Sequence, residues 1–197
     1  MNRKTAMKLF GLLGLLMLLS CGYADRHRNN SSCEQVLVDS LEVRIQDSLF
    51  SNVHYSRSQV LDALTQTQDS QVYYRLLALY GKTFFVSSDF DSILYYNRRV
   101  KEFSRNASQS SESLQSPQWN DVLSDVYNIE GNVWMQLNRP DSAITDYKKA
   151  YEYRLKGKKL HLLPDICINT ADAYLHRSDL AHTASYYRRA LFLCDSL

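Results

Sequence analysis

The sequence predicts an all-α chain folded as a solenoid of antiparallel helix pairs, and three observations predict it. Apolar and polar residues mix at three- and four-residue spacing, the period of helices rather than strands. Helix breakers are scarce, with three prolines and six glycines in 197 residues. The chain also says nearly the same thing twice: Asp89 to Val100 reads DFDSILYYNRRV, and Arg139 to Ala150 reads RPDSAITDYKKA. A formal net charge of +2 excludes a strong electrostatic pull toward nucleic acid or anionic lipid. Hydrophobic residues make up 45% of the chain, enough for a core.

Residues 1–20 stand apart from the fold. MNRKTAMK is a basic leader, and LFGLLGLLMLL is an apolar run of eleven closed by Ser20 and Cys21. A membrane span needs about twenty such residues, so the run reads as a secretion signal. Its end, Leu18-Leu19-Ser20-Cys21, resembles the bacterial lipobox. That resemblance implies cleavage before Cys21 and lipid on its thiol and on the new amino terminus. It places the chain in the cell envelope, lipid-anchored to a membrane facing the periplasm or exterior. An ordinary signal peptide beside a chance cysteine is the competing reading, since a small residue before the cut suits both. Residues 21–32 are polar and without period, a flexible tether of roughly 20 Å.

Apolar periodicity begins at Cys33, and residues 33–73 read as a helical lead-in. Val36, Leu37, Leu41, Ile45 and Leu49 fit one helical face; Val60, Leu61 and Leu64 fit a second. Aligning Asp91-Ser92 with Asp141-Ser142 also aligns Gly81 with Gly131 and Phe84 with Trp134. Forty residues on, the same frame lays Ala171, Tyr174, Tyr187 and Ala190 over Gly131, Trp134, Tyr147 and Ala150. One helix–break–helix unit thus occurs at 74–107, 124–157 and 164–197. Residues 108–123 form a serine-rich insert and helix extension, with Ser116 as cap and Pro117 in the first turn. A linker, 158–163, joins the second and third units.

A 34-residue unit with a small residue, an aromatic, then a small-large-small face resembles the tetratricopeptide repeat. The middle unit carries the resemblance best, through Tyr127, Gly131 and Trp134 on its first helix and Ala143, Tyr147 and Ala150 on its second. Gly131 lets the paired helices approach closely. Pro140 sits in a first turn, where its missing N–H costs nothing, and Asn138 before it is the expected cap. Departures from the family pattern are Asn97, Thr183 and the absence of a closing proline.

No motif for chemistry appears: no Gly-x-Ser-x-Gly elbow, no Walker-type phosphate loop and no His-Glu-x-x-His. The expectation is no enzyme, no cofactor and no metal. His27, His54, His161, His176 and His182 are scattered and read as surface or boundary residues. Cys33, Cys167 and Cys194 form no Cys-x-x-Cys; the last two read as packing thiols, although an antiparallel helix pair could bring them together. Tyr73-Tyr74, Tyr95-Tyr96 and Tyr186-Tyr187 read as core packing, one of each pair inside and the other at the boundary. RLKGKKLH, Arg154 to His161, reads as a solvated turn rather than a nucleic-acid patch.

The repeat resemblance implies a binding function. In that family a concave groove is lined by the first helix of each unit. The corresponding residues are Arg75, Ala78, Lys82, Phe85 and Val86 in the first unit. They are Asp125, Asn128, Asn132, Met135 and Gln136 in the second, and Asp165, Ile168, Asp172, Leu175 and His176 in the third. Such a groove runs from basic through amide to acidic and takes a protein or peptide, with Asn128 and Asn132 placed for an extended backbone. The function expected is therefore a non-catalytic, lipid-anchored scaffold, touching membrane only through its anchor. The alternative is the N-terminal sensory part of a longer repeat-containing signalling regulator. Leu191, Phe192, Leu193 and Leu197 spread too widely to face one neighbour, so either continuation of the array or self-association through the C-terminal helix is expected.

Overall fold

The computed structural model describes residues 36–45, 52–107 and 116–196, and among these every regular element is helical. Residues 36–45 form α1. There follow α2 (Val53–Gln66), α3 (Ser70–Lys82), α4 (Phe90–Ala107), α5 (Pro117–Gln136) and α6 (Pro140–Arg154). A short 3₁₀ turn, Leu160–Leu162, leads into α7 (Leu163–His176), and α8 (Leu180–Ser196) ends the described chain. The fold is an all-α solenoid of antiparallel pairs, α3/α4, α5/α6 and α7/α8, with α1 and α2 at its start. The signal and lipobox through Cys21, the tether, Cys33, Leu49 and most of the serine-rich insert lie outside the described residues.

The repeat frame is written into the backbone of the turns. Ser88, Asn138 and Ser178 stand at the same place in successive units, and each has a positive φ, 54°, 56° and 59°. The residue after each donates its N–H to the carbonyl five back: Asp89 to Phe84, Arg139 to Trp134 and Asp179 to Tyr174. This closes a helix that would otherwise leave carbonyls unmet. Asn138 is therefore not the cap expected of it. It takes the left-handed turn position, which asparagine tolerates well, while Arg139 precedes Pro140 at the helix start with no side-chain cap bond. In the flanking units an aspartate fills that role, Asp89 accepting from Ser92 N–H and Asp179 from His182 N–H, both at 3.1 Å. Ser116 caps α5 as expected, accepting from Trp119 N–H at 3.2 Å.

Three apolar clusters run along the array, as expected where each unit buries itself against its neighbours. The first joins Val38, Leu41 and Ile45 to Val60, Val72 and Leu76; the second is built round Val100, Trp119 and Val126; the third round Ala143, Tyr147, Ala150 and Tyr174. The expected face of α1 is corrected here. Val36 and Leu37 are exposed, and the stripe that packs is Val38, Leu41 and Ile45, three and four residues apart on one side of the helix. In α2, likewise, Leu61 is exposed while Val60 and Ala63 are buried. Gly131 fits its reading closely: a Cβ there would stand 2.3 Å from the Tyr147 ring.

Candidate binding clefts of the concave face

The first helices α3, α5 and α7 line two neighbouring clefts, and all seven expected groove residues stand in them. Arg75, Lys82, Asp125, Asn128 and Asp165 line one of about 560 Å³. Asn132 and Asp172 line the other, of about 490 Å³, with Phe85, Met135, Leu175 and His176 around them. Arg75, Ala78 and Lys82, Asp125, Asn128 and Asn132, and Asp165, Ile168 and Asp172 each recur three and four residues apart and so share one side of their helix.

Geometry revises the expected charge gradient. Arg75 is 6% exposed, and its Nη2 is held by Asp39 at 2.6 Å and Glu42 at 3.2 Å. Both carboxylates come from α1. The other oxygen of Glu42 reaches Lys159 Nζ at 2.7 Å, so α1 also ties the segment that leads into α7. Burial acts against the Lys159 charge, yet Glu42 beside it raises its pKa on balance. The basic end of the groove is thus occupied by the chain's own acids, and Lys82 is left as its half-exposed cation.

The middle is held by a second buried ion pair. Arg154, expected in a solvated basic turn, is 1% exposed. Its Nη1 meets Asp121 at 2.7 Å, and its Nη2 donates to Asp125. Asp121 also accepts the backbone N–H groups of Lys158 and Lys159, at 2.9 and 3.2 Å, and so shapes the linker. Both Nη atoms of Arg154 are matched by carboxylates, as an interior ion pair demands, while its buried Nε has no hydrogen-bond partner among the described residues.

Toward the C-terminal end the clefts present amides and acids. Asn128 Oδ1 accepts from Asn169 Nδ2 at 3.1 Å, and Asn132 Oδ1 accepts from the Tyr147 hydroxyl at 2.7 Å. Each bond occupies an acceptor and turns the amide, leaving the Asn128 and Asn132 NH₂ groups as donors. Asp172 accepts from the Tyr187 hydroxyl, a bond that heads the causes raising that tyrosine's pKa. Asp165 is exposed at the rim.

Sequence reasoning missed Asp39, Glu42, Asn169, Tyr147 and Arg154 as partners of this face. One signal was available: the repeat frame sets Tyr147 fifteen residues after Asn132 and Tyr187 fifteen after Asp172. Elsewhere, His54, His161, His176 and His182 are exposed, as expected. Cys167 is buried and Cys194 exposed, both as free thiols, so only Cys167 packs; burial pushes it up to about 11. None of the three tyrosine pairs puts a member fully inside: Tyr95 is exposed and Tyr96 half-buried, and both members of the other two pairs are half-buried.

Fold and clefts together define a helical-pair solenoid with two neighbouring clefts on the face lined by α3, α5 and α7. Among solved structures it is similar to BtubC (BKLC) from P. vanneervenii, with a TM-score of 0.61 and 17% identity. The likeness covers 81% of this chain and 62% of that one, and at such identity it shows the fold alone. No protein-family model matches the sequence, and no curated protein matches it.

Proposed function

We propose that this chain is a non-catalytic tetratricopeptide-like scaffold, lipid-anchored through Cys21 in the bacterial cell envelope, that holds a peptide or protein on its concave face. The observation that supports it is the pairing of Asn128 with Asn169 and of Asn132 with Tyr147, which orients two amide donors into adjoining clefts. Amides one turn apart suit an extended backbone, which offers acceptors at similar intervals. Phe85, Met135 and Leu175 supply apolar surface for its side chains.

The test is the double variant Asn128→Ala/Asn132→Ala, checked for helicity and then used as bait in an envelope extract. Loss of partners held by the wild type is the expected result; retention at full strength on an intact fold places the binding surface elsewhere. The anchor is tested separately. Metabolic labelling with a fatty-acid analogue should mark the wild type, and Cys21→Ser should be released in soluble form. An unlabelled wild type removes the anchor from the proposal.

The alternative, the sensory part of a longer regulator, draws support from α8. Leu191 and Phe192 are 68% and 69% exposed there. In the frame, Leu191 stands where Tyr151 packs against the third cluster. An array continued by another helix would cover them in the same way.

A further inference from the structure

A third cleft, of about 550 Å³, opens on the opposite face, between α4, α5 and α6 at the junction of the first two units. Its floor is Tyr127 laid parallel to Tyr153, ring centres 5.6 Å apart. Two ammonium groups from different units converge on the Tyr127 ring: Lys101 Nζ at 5.2 Å and Lys149 Nζ at 5.1 Å from its centre. Arg98 and Arg105 stand on the same stripe of α4 as Lys101 and line the cleft with it.

The carboxylates present are partly committed. Glu130 accepts from Lys101 at 2.6 Å, and Asp146 accepts from the Trp134 indole N–H at 2.8 Å. Glu102 is exposed on α4. Arg98, Arg105 and Lys149 are exposed, and among the described residues no carboxylate lies within ion-pair distance of them. Like charges gathered over an apolar floor repel one another, and an anion between them relieves that repulsion.

The next junction serves as an internal control. Carried forward one unit, the frame puts Tyr151 in the place of Lys101, Cys167 in that of Tyr127 and Tyr186 in that of Asp146. Cys167 is fully buried, and both tyrosines pack against the third cluster. There Lys148 and Arg189 stand in the places of Arg98 and Lys149, over the rings of Tyr174, Tyr151 and Tyr186, while Tyr151 and Leu155 take the places of Lys101 and Arg105. Solenoid packing alone therefore does not require Lys101 and Arg105 at the first junction.

We propose that this outer cleft binds a phosphate ester, held between Lys101, Arg105 and Lys149 above the Tyr127 ring. Ammonium and guanidinium groups suit phosphate oxygens, and the aromatic floor receives the apolar part of the ester. A soluble phosphoester and a phospholipid headgroup share this chemistry. The site uses the side of α5 opposite Asn128 and Asn132, so it stands or falls apart from the concave groove.

Trp134 lines the cleft, whereas Trp119, the other of two tryptophans, is buried in the second cluster. Emission of the full chain is therefore followed during titration with glycerol 3-phosphate, and with vesicles of phosphatidylglycerol against phosphatidylcholine. The expected result is a saturable change, absent in Trp134→Phe and weakened about tenfold by Arg105→Gln or Lys149→Gln, with Asn128→Ala unaffected. Response to the soluble ester assigns a soluble ligand; response only to phosphatidylglycerol, reduced by the same two substitutions, assigns a headgroup. No response to either probe, or one that Arg105→Gln and Lys149→Gln leave unchanged, overturns the proposal.

Discussion

The Tyr147 hydroxyl donates to Asn132 Oδ1 at 2.7 Å, and one unit later Tyr187 donates to Asp172 in the same register. A large aromatic of the second helix thus crosses its own pair to touch a residue of the concave face. In the first unit the corresponding residues are Asn97 and Lys82, and both line a small cavity beside Glu42 and Asp125. Asn97 turns its Nδ2 to the Val126 carbonyl at 3.2 Å, tying the first unit to the second. Tyr147→Phe should keep the fold and lose about 1 kcal/mol of stability, the usual net worth of one such bond. Urea unfolding measures it; an unchanged midpoint would show that water replaces the hydroxyl at no cost.

Gly131→Ala tests the close approach of α5 and α6. The added Cβ meets the ring of Tyr147, which is only 2% exposed. Overpacking costs about 1–3 kcal/mol, while alanine returns up to about 1 kcal/mol of helix propensity. A net loss near 1 kcal/mol or more is expected in the same assay. The change should also weaken the bond from Tyr147 to Asn132, visible as a shift of the Asn132 side-chain amide resonances.

Ser88 and Ser178 hold left-handed turn positions at a steric cost that glycine avoids. Ser178→Gly should therefore raise stability by about 0.5 kcal/mol, the relief of strain being reduced by glycine's greater freedom when unfolded. Asn138→Gly should change little, because asparagine already tolerates this conformation. A Ser178→Gly midpoint below the wild type's would contradict the strain argument.

Glu130 makes stability depend on pH. Burial, the largest influence, raises its pKa, and the charge and hydrogen bond of Lys101 lower it only in part. The folded state therefore holds this proton more tightly than the unfolded chain. The stability contributed is fully present below the ordinary carboxylate range and is lost as pH rises through the raised folded value. Glu130→Gln removes the dependence, so its melting temperature should gain on the wild type's as pH rises above the ordinary carboxylate range. Melting temperatures that run parallel above that range would contradict the assignment.

The exposed Leu191 and Phe192 of α8 predict concentration-dependent self-association. Light scattering should show dimers or larger species at high concentration, and Leu191→Glu/Phe192→Glu should restore the monomer. A wild type that stays monomeric throughout removes this contact.

The sequence by itself determined the helices, their pairing and the repeat frame, because these rest on local period and on small and large residues recurring at fixed spacing. It therefore placed Gly131, Pro117 and Ser116 correctly, and the seven residues it expected in a groove line two neighbouring clefts. It misplaced Asn138, since cap and left-handed turn positions lie one residue apart and asparagine suits both. On α1 it placed Leu41 and Ile45 correctly but chose Val36 and Leu37 over the buried Val38, which is equally apolar. Only the tertiary structure decided which charges are free. Arg75 and Arg154 carry the same formal charge as Lys82, yet the first two are buried on carboxylates, and Lys159 meets a glutamate 117 residues away in the chain. Such pairing depends on where distant segments come to lie, and no local pattern of side chains encodes it.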